Sequence, residues 1–102
     1  LARLTISKDA RRDLSSIYLQ GVQTFGPAQA DRYIDALLDV LDMIADFPEI
    51  SRLRTEIEPP VRAYTHQSHV ILYDFDANGD VMIVRIRHVL EDWQGLNGVG
   101  EP

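Results

Sequence analysis

VRAYTHQSHVILYDFDANGDVMIVRIRHVLEDW, residues 61–93, contains three apolar runs separated by two turn signals. The runs are Val61 to His66, His69 to Asp76 and Val81 to Val89, rich in β-branched and aromatic residues at strand length. Gln67-Ser68 separates the first pair and Ala77-Asn78-Gly79-Asp80 the second; Asn and Gly tolerate positive φ and suit tight turns. The spacing therefore predicts two successive hairpins, and hence a mainly antiparallel sheet.

Upstream, the period changes. Leu4-Thr5-Ile6 alternates like a short strand, and Ser7 can cap a helix whose first turn holds Asp9. Ala10, Leu14, Ile17, Tyr18 and Phe25 follow at helical spacing over roughly four to five turns, leaving Arg11 and Arg12 off the stripe. Gly21 either weakens that helix or admits a close neighbour. Gly26-Pro27 breaks it, and Pro27 suits the first position of a second helix, so the two form an antiparallel hairpin. Ala30, Tyr33, Ile34, Leu37, Leu38, Leu41, Ile44 and Ala45 give the second helix a broad apolar face, which Phe47-Pro48 closes. Residues 49–60 read as a polar connecting loop ending in two prolines.

The order strand, helix, helix, strand, strand, strand makes the fold α+β. Two layers are expected: an N-terminal strand and helical hairpin packed on a mainly antiparallel sheet with three C-terminal strands. A chain of 102 residues, 45% hydrophobic and 25% charged, fits one domain; we assign residues 1–95 to it and 96–102 to a flexible tail.

Composition narrows function. No cysteine is present, so no disulfide framework or thiolate zinc site is expected, and a cytoplasmic location is compatible with this. No run reaches membrane-spanning length, no signal peptide precedes the first strand, and no membrane association is expected. A net charge of −6 argues against direct nucleic-acid binding. Asp31, Asp35, Asp39, Asp42 and Asp46 share one helix face, read as solvated because no histidine is spaced to join them as a metal ligand. Nucleophile elbows, phosphate-binding glycine loops and catalytic triads are missing from the sequence, and neither a metal nor a cofactor is expected.

Strict alternation in the last strand puts Met82, Val84, Ile86 and His88 on one face and Val81, Ile83, Arg85 and Arg87 on the other. The first set reads as core ending at His88, the second as an open face. Arg62, Tyr64 and His66 share a phase and are expected to join that open face. Guanidinium forks there would suit a carboxylate or a phosphate; pairing of Arg85 and Arg87 with Glu91, Asp92 or Glu56 is the competing reading. Trp93 reads as a cover for the base of the core, with a partner anchor as the alternative.

These segments together resemble the ParE branch of the RelE/ParE toxin superfamily. The resemblance runs through LTISKDARRDLSSIYLQGVQTFGPAQADRYIDAL, MIADFPEISR and the 61–93 stretch, with Arg62, Ser68, Tyr73, Arg85, His88, Asp92 and Trp93 at signature positions. Ser51 stands where the family usually has glycine. It implies a bacterial type II toxin, neutralised by a ParD-like antitoxin in a hetero-oligomer and acting on DNA gyrase without catalysis of its own. Strand phase and the resemblance together place the expected antitoxin contacts at Arg62, Tyr64, Ile83, Arg85 and Arg87; the gyrase contacts are expected on the final strand and the segment after it, at Arg85, Arg87 and Trp93. RelE-type relatives of the same fold are ribosome-dependent mRNA interferases. Such nucleases typically carry an arginine where this chain has Val70, and cations where it has Leu90, Glu91 and Asp92. Trp93 has no hydroxyl for proton transfer. These departures favour the gyrase reading. A third possibility is a weakly toxic protein acting mainly in an autoregulatory antitoxin complex.

Overall fold

The computed structural model describes residues 3–91 and residue 93; the expected tail at 96–102 and Asp92 lie outside them. Strand β1 (Leu4–Ile6) leads into helices α1 (Lys8–Phe25) and α2 (Pro27–Asp46). Strands β2 (Leu53–Arg54), β3 (Val61–His66), β4 (His69–Phe75) and β5 (Val81–His88) follow. Five strands make one sheet in the order β1-β5-β4-β3-β2. Only the β1–β5 pair is parallel, and the helical hairpin packs on one face, giving the expected two-layer α+β fold.

Local chemistry explains the helices. The Ser7 hydroxyl accepts the Ala10 N–H at 2.9 Å, filling one of the orphan donors of the first turn. Gly26, at φ 89°, ends α1 and starts α2, a left-handed position that favours glycine. A Cβ on Gly21 would stand 3.2 Å from the Cβ of Ala30, so Gly21 lets the two helices approach closely. Asp31, Asp35, Asp39, Asp42 and Asp46 are all exposed on the outer face of α2.

Residues 49–60 are not wholly loop. Pro48–Ile50 forms one 3-10 turn, and Leu53 and Arg54 pair antiparallel with Arg62 and Val61. A two-residue edge strand carries no alternation, so its partner alone defines it.

The core has two parts. Between helices and sheet lie Ala10, Leu37, Leu41, Ile44, Ile71, Tyr73, Val81, Ile83 and Ile86. On the opposite face Ile57, Val61, Ala63, Val70 and Leu72 are packed with Val84, Val89 and Trp93. The Tyr73 hydroxyl is buried in the first part and donates to Pro48 O at 2.8 Å, while accepting Ser51 N–H at 3.3 Å.

This division corrects the expected faces of β5. The register runs Tyr73↔Ile83 but Leu72↔Arg85, so β5 carries an extra residue, a bulge at Val84. One inserted residue inverts the phase beyond it. Val81, Ile83 and Ile86 are fully buried under the helices, whereas Met82 is 42% exposed and His88 is exposed. The expected core set of Met82, Val84, Ile86 and His88 therefore dissolves: Val84 belongs to the second cluster and only Ile86 to the first.

Candidate partner-binding surface

Strand β1 covers β5 only from Val81 to Ile83. Beyond it, the outward backbone groups of β5 are met by side chains. The Ser7 hydroxyl donates to Val84 O at 2.7 Å. Asp13, on α1, accepts the Ile86 N–H at 2.9 Å. Glu91 accepts the His88 N–H at 2.9 Å. An edge that would otherwise template strand pairing is closed at alternate residues 84, 86 and 88.

The same two carboxylates hold the arginines. Arg85 grips Asp13 with a two-point fork, Nε to Oδ2 at 2.9 Å and Nη2 to Oδ1 at 3.1 Å. Arg87 donates to Asp13 Oδ1 at 3.1 Å and to Glu91 Oε2 at 2.6 Å. The hydrogen bond to Asp13 raises the pKa of Arg85 above its ordinary value, against the opposing effect of burial. Burial pushes the Glu91 carboxyl up, but the His88 N–H and Arg87 outweigh it and hold it below the usual range. The pairing of Arg87 with Glu91 was the competing expectation; Asp13 is the partner that sequence reasoning missed. Its ligands lie 72 to 74 residues away, and nothing local marks it apart from neighbouring polar positions.

No single open arginine face exists. Arg85 and Arg87 stand opposite Leu72 and Val70 of the second cluster, whereas Arg62 and Tyr64 stand opposite Tyr73 and Ile71 of the first. Arg62 is turned inward, donating to Ser51 O at 2.6 Å with its guanidinium 4.6 Å from the Phe75 ring centre. Tyr64 packs half-buried on the first cluster. Ile83, expected on an open face, is fully buried and offers no surface. Trp93 is half-buried over the second cluster with Arg54 5.5 Å from its ring, so it covers core, as favoured.

His88, expected to seal the core, is exposed at the rim of another feature. A cleft of about 950 Å3 lies between the helical hairpin and the β3–β4 turn, lined by Ile17, Gly21, Phe25, Tyr33, His69 and His88 among others. Large apolar side chains stand exposed on the hairpin, Leu19 at 60% and Phe25 at 63%, the latter correcting its place in the buried stripe. No helix among the described residues is long and apolar enough to cross a membrane.

Comparison with known proteins converges on one family. The chain is 30% identical over 87 residues to Toxin ParE1 of Mycobacterium tuberculosis strain CDC 1551 / Oshkosh, covering 85% of this chain and 89% of that protein. The same figures hold for Toxin ParE1 of strain H37Rv. The fold is that of a solved chain from the chromosomal ParDE TA system of P. aeruginosa. The TM-score is 0.75 at 21% identity, covering 86% of this chain and 96% of that one. Residues 4–93 match the family model described as ParE toxin of type II toxin-antitoxin system, parDE, and the chain belongs to that family of toxins.

Proposed function

We propose that this ParE-type toxin is neutralised by a ParD-like antitoxin and acts by binding DNA gyrase, without catalysing a reaction itself. The observation that carries the non-catalytic part is the closed state of Arg85 and Arg87. Both guanidinium groups are bound by carboxylates of the same chain. A ribonuclease of this fold needs cations directed at a scissile phosphate as negative charge develops on it. Here Leu90 and Glu91 follow the strand instead, and Glu91 would repel that charge.

For the antitoxin, an amphipathic segment along the helical hairpin is supported by the exposed Leu19 and Phe25. An extended segment would run by the outer rim of β5, meeting the exposed parts of Arg85 and Arg87. Arg62 and Tyr64 stand elsewhere on the sheet and would contribute through packing. The stretch from Arg85 to Trp93 is the proposed gyrase contact.

The deciding experiment places the purified toxin in a gyrase supercoiling and cleavage assay and in a ribosome-dependent mRNA cleavage assay. Loss of supercoiling with intact message is expected. Cut message with gyrase untouched overturns the reading.

A further inference from the structure

A single carboxylate, that of Asp13 on α1, collects N–H donors from three consecutive residues of β5, and its side chain is only 10% exposed. Oδ2 accepts Arg85 Nε and the Ile86 N–H, each at 2.9 Å. Oδ1 accepts Arg85 Nη2 and Arg87 Nη1, each at 3.1 Å. The backbone makes this convergence possible. Ile86 turns its side chain under the helices and its N–H out of the uncovered edge of β5. The arginines on either side of it start from the opposite face and bend round that edge to α1.

Such a set of donors is not particular to a carboxylate. Guanidinium forks and backbone N–H groups bind phosphate oxygens in the same manner. Charge counting selects the kind of phosphate. Glu91 accepts from Arg87 Nη2 at 2.6 Å and balances one arginine. Asp9, the neighbouring acid of α1, is paired with Arg12 at 3.6 Å. With Asp13 set aside, Arg85, Arg87 and Glu91 therefore leave one positive charge. A phosphodiester carries one negative charge and balances it. The arginine side chains are 26% and 23% exposed, so the donors are reached from solvent.

We propose that residues 85–87 form a phosphodiester-binding cradle, and that Asp13 is its built-in occupant, the residue that keeps an external phosphate out. The proposal rests on the non-catalytic reading above and names the residue responsible for it. A carboxylate on the same chain acts at an effective concentration that a free phosphate does not match, so the native cradle stays shut. Removing that carboxylate leaves the Arg85 fork, one Arg87 donor and the Ile86 N–H turned toward a vacated anion position. Were Asp13 only a tie between α1 and β5, its loss would destabilise the fold and create no affinity.

The test replaces Asp13 by alanine and asks whether a diester takes its place. Melting is followed in dimethyl phosphate, against sodium chloride at equal ionic strength. Asp13→Ala should gain several degrees over the native protein, with a saturating dependence on concentration. Adding Arg87→Ala should abolish that gain. Fluorescence anisotropy with a short single-stranded RNA separates a nucleic-acid phosphate from a free ester. Asp13→Ala should bind the RNA at least about tenfold more tightly than the native protein at low salt. Equal responses of variant and native protein to both probes overturn the cradle. Should Asp13→Ala not fold in chloride, recovery of its fold in dimethyl phosphate supports the cradle and no recovery overturns it. The two failures are separate: message cut by the native protein sinks the non-catalytic reading, whereas an unresponsive Asp13→Ala sinks the cradle alone.

Discussion

Strand β5 is held by different physics on the two sides of its bulge. From Val81 to Ile83 it has a parallel neighbour, β1, and its inward residues are buried under the helices. Beyond Ile83 it has no strand neighbour on that side among the described residues, and side chains from three places take over the pairing. The first half is stabilised by removal of apolar surface from water, the second by charge-assisted hydrogen bonds around two carboxylates. An edge can thus be closed without a strand, provided acids meet both its N–H groups and its arginines. The cost is that the arginines are no longer free.

The largest expected effect breaks the first half. Ile83→Ala removes a fully buried side chain and should cost about 3–4 kcal/mol in urea denaturation, from lost burial and the cavity left behind. Met82→Ala, one residue away and 42% exposed, should cost about 0.5 kcal/mol. The reverse ranking would mean that the phase inversion at Val84 is wrong.

That inversion shows where the sequence is legible. Residues 61–66 alternate and are bounded by turn residues, so β3 has the expected ends. The hairpin of helices follows from an uninterrupted helical period and one Gly-Pro break. Trp93 reads as core cover because an indole after a strand has few other places to be dry. The bulge is illegible because Val84 is an ordinary strand residue, with no glycine to mark an irregularity. Two misplacements descend from it, Ile83 on an open face and Met82 in the core; His88 shares the face of Ile86 and is exposed because it ends the strand. Asp13 is illegible for another reason: a carboxylate on a helix is identified only by what lies opposite it in space, here residues 85–87. The site was therefore half readable, its arginines visible and their occupants not.

Breaking the second half is the next test. Asp13→Ala leaves the Ile86 N–H without its acceptor and removes the anion shared by Arg85 and Arg87. The Asp13 side chain is only 10% exposed, so the loss should be about 3 kcal/mol, near the lower end for breaking a buried ion pair. Asp13→Asn keeps an oxygen for Ile86 and separates hydrogen bonding from charge; about half the loss is expected. Denaturation midpoints identical to the native protein in both variants would show the pairing to be incidental.

The smallest effect sharpens the comparison at the outer end of the strand. Glu91 joins Arg87 to the His88 N–H but is about a third exposed, so solvent screens it and Glu91→Gln should cost under about 1 kcal/mol at neutral pH. Its pH dependence has a definite sign. The folded carboxyl titrates below its ordinary 4.5, so its contribution is present above 4.5 and disappears as pH falls through the lower folded value. Native protein and Glu91→Gln should therefore differ in stability at pH 7 and converge in strong acid. If the two proteins instead diverge as pH falls below 4.5, Glu91 is not held as an anion by Arg87 and His88, and the outer end of β5 must be closed in some other way.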